Sequence, residues 1–283
     1  DLNVLTDYQP KVPLRIFSLE GQLIGEFGEE RRAIVKIEAV PKGMRDAILA
    51  AEDERFYQHG GVDYLGVIRA ALSNFVSGGA RQGASTITMQ VARNFFLSKE
   101  KTLTRKFTEV LLAFKIEHSL SKDQILELYV NQIYLGQRAY GFAAAAQIYF
   151  GKPLDQISLA EMAMLAGLPK APSSFNPVVN PKRAKLRQQY VLRRMRELGF
   201  ITDDQWQSAD KQVLAVKKYV NEYSVKADHF SEMVRQIMFD RFKDEAYTSG
   251  FRVYTTLSVN HQEAAHAAVR KGVIEYDRRR GYR

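Results

Sequence analysis

The spacing of apolar residues changes twice along this chain. Between residues 12 and 27, Val12, Leu14 and Ile16 alternate with polar neighbours, Glu20-Gly21-Gln22 supplies a turn, and Leu23 and Phe27 return on one face, which predicts a β-hairpin. Ile24 and Gly25 interrupt the alternation, so the returning strand is the weaker half. From Pro41 the period becomes helical. Met44, Ile48 and Ala51 share one stripe; Leu65, Ile68, Leu72 and Phe75 follow Asp63 as N-cap; Ile87, Val91 and Phe95 follow Ser85 or Thr86. Ser121-x-x-Gln124, Ser158-x-x-Glu161 and Thr202-x-x-Gln205 match capping boxes, and Gly151, Gly167 and Gly199 stand where helices should stop. The loop from Pro169 to Pro181 holds half of the prolines and is expected to be extended. After residue 212 come a basic, valine-rich connector, a helix near 228–243, a strand FRVYTTL with Phe251, Val253, Thr255 and Leu257 on one face, and a helix at about 260–276. One strand leaves no room for a sheet to complete around it. Three segments are therefore expected: a hairpin and linker at 1–40, a helical domain at 41–212, and a connector with the cut-off opening of another domain at 213–283.

Composition narrows the chemistry. With 46% hydrophobic and 26% charged residues over 283 positions, the chain falls within the globular range. No cysteine is present, which removes disulfides, thiolate zinc sites, iron–sulfur clusters and a cysteine nucleophile together. The five histidines make no HExxH-type pair, so a histidine-based metal site is not expected. A net charge of +9 favours anionic partners: phosphates, nucleic acid or acidic lipid surfaces. No apolar run reaches the ~18 residues of a membrane span, and no signal peptide is visible. A chain opening on Asp1 without Met reads as an exported protein trimmed of an N-terminal anchor.

Four segments could carry chemistry. EDERFYQHGG, Glu52 to Gly61, crowds carboxylates, Phe56 and His59 at a helix C-terminus, where acidic residues oppose the helix dipole. The plain alternative is a solvated, fraying helix end. GASTITMQVARN, Gly83 to Asn94, sets Thr86, Gln90 and Arg93 on one helical face, behind an N-terminus able to take an anion. RKFTE, Arg105 to Glu109, adds two cations and a carboxylate to a helix whose apolar side is Leu103, Phe107, Val110 and Phe114; a surface ion pair between Arg105 and Glu109 would also explain it. KDQILELYVN, Lys122 to Asn131, places Glu127 and Asn131 one turn apart, compatible with a structural network between helices.

In their order and spacing these segments, with the weaker RQQYVLRRM at Arg187 to Met195, resemble the glycosyltransferase family 51 domain of class A penicillin-binding proteins, the peptidoglycan polymerases. The likeness runs from about residue 13 to the end, because GEFGEERR and FRVYTTL resemble that family's flanks. It implies a mainly α, lysozyme-like domain with a small membrane-facing lobe, an N-terminal β-hairpin and a truncated C-terminal α+β segment at the start of a transpeptidase region. It places Glu52 as catalytic base, Glu109 as second essential carboxylate, and Asp53, Phe56, His59, Thr86, Gln90, Arg93, Asn94, Arg105, Lys106, Glu127 and Asn131 around the substrate. Three departures from the family pattern occur: Met89 for Gln, Arg93 for Lys, and Gln188-Gln189 for Arg-Asn, the last leaving the fifth motif's role open.

The implied reaction joins lipid II units into β-1,4-linked glycan. Glu52 would deprotonate a GlcNAc 4-hydroxyl for attack on MurNAc C1 with inversion, while Arg93, Arg105 and Lys106, with a divalent Mg or Mn near Asp53, would neutralise the departing polyprenyl pyrophosphate. The resemblance also implies the outer, periplasmic face of the cell membrane, lipid II and nascent glycan as partners, moenomycin-type inhibitors, no nucleic acid, and a bilayer contact through Val67, Phe75 and Val76. From pattern alone, Val67 to Val76 reads as a buried core helix. Three rival functions fit the residues less well. A muramidase or lytic transglycosylase would use one protonated Glu and gain nothing from clustered cations. A nucleic-acid-binding module would explain +9 but none of the acidic residues. Acyl transfer would need Ser98-x-x-Lys101 or Ser119-x-x-Lys122, and no K-T-G follows either.

Overall fold

A computed structural model describes residues 5, 11–28, 30–68, 85–96, 103–217 and 225–281. They group into two compact units, one built from Asp1–Tyr8 and Arg32–Lys218, the other from Gln9–Arg31 and Tyr219–Arg283. The expected hairpin and C-terminal segments thus fall together in one unit.

The first unit is helical: α1 Lys42–Glu52, α2 Ile87–Phe96, α3 Leu103–Ser119, α4 Lys122–Gln132, α5 Phe142–Phe150, α6 Leu159–Ala166, α7 Pro181–Glu197 and α8 Asp203–Lys211. All three capping boxes form, each Ser or Thr side chain accepting from the N3 amide while the N3 side chain returns to the cap amide. Gly151 and Gly199 end their helices at φ +66° and +72°, the left-handed conformation in which a side chain would be strained. Gly167 ends α6 differently, at φ −77°, and its lack of a side chain serves packing: a Cβ there would meet Arg187 Cγ at 2.8 Å. The loop 169–181 folds into successive turns instead of running extended. Buried Asn176 holds it by accepting the Val178 and Val179 amides, and Pro181 fills the first turn of α7, where no amide bond is lost.

One core joins Met44, Ile48, Ile87, Val91, Ile116, Ile125, Tyr129, Phe142, Leu165 and Val191. Against it α3 is turned the opposite way from its apolar pattern. Glu109, Ala113 and Ile116 are fully buried, whereas Phe107, Leu111 and Phe114 are exposed. A second apolar exposure lies at 64–68, a helical turn capped by Asp63, whose Oδ1 accepts the Gly66 amide at 3.0 Å. Tyr64, Leu65, Val67 and Ile68 are all exposed there, so the described start of the expected core helix is not core. Phe75 and Val76 lie outside the described residues. No described helix is long and apolar enough to cross a membrane.

In the second unit β1 Leu14–Phe17 and β2 Leu23–Phe27 pair antiparallel, and the register slips where Ile16 faces Gly25 and Phe17 faces Leu23. Ile24 is the extra residue, a β-bulge at the site of the broken alternation. β3 Arg252–Tyr254 does find a sheet: it pairs in parallel with β1, giving the order β2-β1-β3. Helix α9 Asp228–Phe242 covers this sheet, its Ser231 hydroxyl donating to Ile24 O at 2.8 Å, and a Cβ on Gly25 would meet Ser231 Cβ at 2.9 Å. Helix α10 Val259–Arg280 starts where its first amide donates to the Glu20 carboxylate at 3.2 Å.

Candidate active site

Glu52 ends α1 with its back to the core, and it is not solvated. Burial pushes its carboxyl above the ordinary carboxylate range, opposed by a hydrogen bond from Gln90 and the charges of Arg187, Lys170 and Arg93. Gln90 Nε2, on α2, donates to Oε2 at 3.0 Å; Oε1 has no hydrogen bond among the described residues and faces Arg187 Nη2 at 3.7 Å. The site thus holds a buried carboxylate with one oxygen hydrogen-bonded and the other without a hydrogen-bond partner among the described residues. Arg93 and Lys170 make no hydrogen bond or ion pair among the described residues.

The remaining first-motif residues hold Glu52 in place. Asp53 Oδ2 accepts the Ile87 amide at 3.0 Å, and His59 Nε2 lies 3.0 and 3.1 Å from the two Asp53 oxygens. The anion expected at the α2 N-terminus is therefore this protein's own Asp53. Thr86, buried, donates to Gly61 O at 2.6 Å and accepts the Met89 amide, making it the α2 cap in preference to Ser85. Phe56 is fully buried, with Lys122 Nζ over its ring at 4.4 Å.

Among the described residues, those around Asp53 do not make a cradle for a divalent ion. Its oxygens are directed at His59 and the Ile87 amide, and among the described residues no group of three His, Asp or Glu side chains could hold a metal.

On α3, Glu109 is wholly enclosed. Lys106 Nζ lies 2.8 Å from its Oε2 and Arg105 Nε 3.2 Å from its Oε1, and Lys106 also donates to Ser85 Oγ at 3.3 Å. This is no surface ion pair: a buried carboxylate orients two cations of which Lys106 remains 44% exposed. Asn94 is exposed and makes no hydrogen bond among the described residues.

Glu127 and Asn131 have structural work. Glu127 accepts the Ile37 amide at 2.9 Å and pairs with Lys36; Asn131 accepts the Val35 amide and donates to Val35 O and Glu127 O. Their polar atoms clamp residues 35–37, as a network between elements would. The two altered positions of the fifth motif are tied into the fold, Gln188 donating to Ala160 O and Gln189 to Asp210. Sequence alone assigns no site role to two residues beside Glu52, although both lie within quoted segments, Arg187 in RQQYVLRRM and Tyr129 in KDQILELYVN. Arg187 sits among Ala184, Val191, Leu192 and Met195 on the buried stripe of α7, where a cation stands out against the pattern. Tyr129 is fully buried, its hydroxyl without a partner among the described residues, and burial followed by the Glu52 charge holds its pKa well above the ordinary phenol.

Known proteins resemble this chain along its length. A family model described as transglycosylase matches residues 20–196. Penicillin-binding protein 1A of Neisseria gonorrhoeae is 57% identical over 282 residues, covering all of this chain and 35% of that protein. The protein of the same name from Escherichia coli K12 is 50% identical over 283 residues, covering 33% of its length. The chain thus spans about a third of the curated relatives it matches. A crystal structure of penicillin-binding protein 1A from Haemophilus influenzae superposes with TM-score 0.55 at 35% identity, covering 97% of this chain and 31% of that one.

Proposed function

The chain belongs to the transglycosylase family, and from that membership we propose that it is a peptidoglycan glycosyltransferase that polymerises lipid II. The observation that carries the reading is Glu52: a buried carboxylate of raised pKa, held by Gln90 on one oxygen and without a hydrogen-bond partner among the described residues on the other, with cations near it. A base tuned toward neutral pH is suited to taking a proton from an alcohol. Glu52 accepts the proton of the GlcNAc 4-hydroxyl as that oxygen forms its bond to MurNAc C1, the C1–O bond to pyrophosphate breaks, and the configuration inverts. The leaving group departs as an anion and needs charge neutralisation instead of an acid, which Arg93, Arg105 and Lys106 supply, the last two oriented by Glu109.

A lipid-linked substrate explains the apolar surface. Phe107, Leu111 and Phe114 on α3, with Tyr64, Leu65, Val67 and Ile68, give large side chains to solvent on elements that also bear Lys106 and Asp63, as expected of a face lying against a bilayer. The chain acts at the outer face of the cell membrane as part of a longer, anchored protein with a transpeptidase region. Moenomycin-type phosphoglycolipids compete for the same cations.

Incubating the chain with radiolabelled lipid II in detergent micelles and separating polymer from monomer tests the reading. Polymer formation lost in Glu52→Gln is expected. No polymer from the native chain, combined with release of soluble fragments from purified sacculi, would reassign it as a muramidase.

A further inference from the structure

We propose that Arg187 is a positioning residue for the catalytic base, acting through Glu52 and not through the substrate; this rests on the reading of Glu52 as base. A guanidinium on the buried stripe of α7 carries a desolvation cost that packing alone does not offset. Three contacts fix where it points. Its Nε donates to Gly167 O at 3.3 Å, and its plane lies 4.4 Å from the Tyr190 ring centroid and 5.8 Å from that of Phe175. Gly167 leaves the room that this pose needs, since a Cβ there would meet Arg187 Cγ at 2.8 Å.

So held, Nη2 stands 3.7 Å from Glu52 Oε1. That distance exceeds a hydrogen bond. The cation attracts the carboxylate without occupying the lone pair that must receive the proton, while Gln90 pins the other oxygen at 3.0 Å. Two helices remote in sequence, α2 and α7, thereby set the rotation of one carboxylate. Arg187 is 8% exposed and committed on all sides, whereas Arg93 and Lys170, near Glu52 and without ion-pair partners among the described residues, are the cations available to a substrate.

Three substitutions test this with labelled lipid II. Arg187→Met should lower kcat about 100-fold with KM within about threefold, the scale of a misaligned catalytic group. Arg187→Lys keeps the charge but not the planar stack and should recover roughly tenfold of that loss. Gly167→Ala leaves Arg187 in the chain but pushes on its stem, and should lower kcat about tenfold at unchanged KM. In a Glu52→Gln background, where turnover is absent, Arg187→Met should leave lipid II affinity unchanged.

A tenfold loss of affinity in that background would make Arg187 a substrate contact and overturn the proposal. Variants that melt earlier but keep native kcat at a temperature where they are folded would make it structural only, with the same consequence. Should Arg187→Met not fold, the Lys and Gly167→Ala variants carry the same kcat-against-KM comparison. Near-native polymerisation by Glu52→Gln alone would remove the base assignment itself, a result recognisable without any Arg187 variant.

Discussion

Asp53 Oδ2 accepts the backbone amide of Ile87 at 3.0 Å, joining the last residue of one helix end to the first turn of another 34 positions away. The same carboxylate holds buried His59, so it stabilises two groups that would otherwise lack partners. Asp53→Ala should cost about 2–4 kcal/mol, because a buried donor left unsatisfied loses its full desolvation energy. Urea unfolding midpoints at constant m-value would measure it. Loss of activity with undiminished stability would contradict a holding role.

Glu52 should destabilise the fold at neutral pH. Its folded pKa is raised by burial, so the native state binds the proton more tightly than the unfolded chain. Stability from this group is then complete below the unfolded value, about 4.3 for Glu, and declines as pH rises through the folded value. Glu52→Gln should therefore melt above the native protein at pH 7, with the gap closing toward pH 4. A variant less stable at both pH values would argue against a costly buried charge.

Gln137 and Arg138 both adopt left-handed backbone, at φ +49° and +61°, directly after Gly136 at φ +84°. Gln137→Gly should raise stability by a few tenths to about 1 kcal/mol, the left-handed penalty exceeding the added chain entropy of glycine. A calorimetric melting temperature lower than that of the native protein would refute this.

The outward apolar residues of α3 should decide membrane binding. Replacing Phe107, Leu111 and Phe114 by Ser should reduce liposome flotation in both low and high salt while leaving the melting temperature nearly unchanged, since all three are exposed in the fold. Binding that vanishes in salt and ignores these substitutions would assign it to charge alone.

Fluorescent penicillin should not label this chain at Ser119. The Ser119 hydroxyl donates to Lys115 O at 3.1 Å, and Lys122 is paired with Glu117 at 2.7 Å, so neither the nucleophile nor its base is arranged for acylation. Ser98 and Lys101 lie outside the described residues. A band that penicillin G competes away, mapped to either serine, would overturn this.

Helix ends were the most legible part of the chain, because a cap such as Ser158 with Glu161 is chosen by residues three positions apart. The face that a helix turns inward was less so. On α3 two faces carry large side chains, and burial goes to Glu109 because its charge is neutralised by Arg105 and Lys106, which apolar spacing does not reveal. Of the candidate site, the motifs name Glu52, Gln90 and the α3 cations, but they mix residues beside Glu52 with residues, such as Asn131, that hold the neighbouring backbone. Arg187 stands in the sequence only as the start of the weaker fifth segment, and that it faces Glu52 depends on tertiary packing. The pairing of β3 with β1 had no local signal.

That pairing sets an order of assembly. Thr255 Oγ1 donates to Phe17 O, 238 positions apart, while helices α1 to α8 of the helical unit all lie between these strands in sequence. On a ribosome delivering about 5–20 residues per second, the hairpin emerges first and must wait more than ten seconds with its β1 edge unpaired, time enough for the intervening helices to collapse around their own core. The central strand of the small sheet is thus laid down early and finished last, and a chain stalled before residue 252 would present an open strand edge to its neighbours.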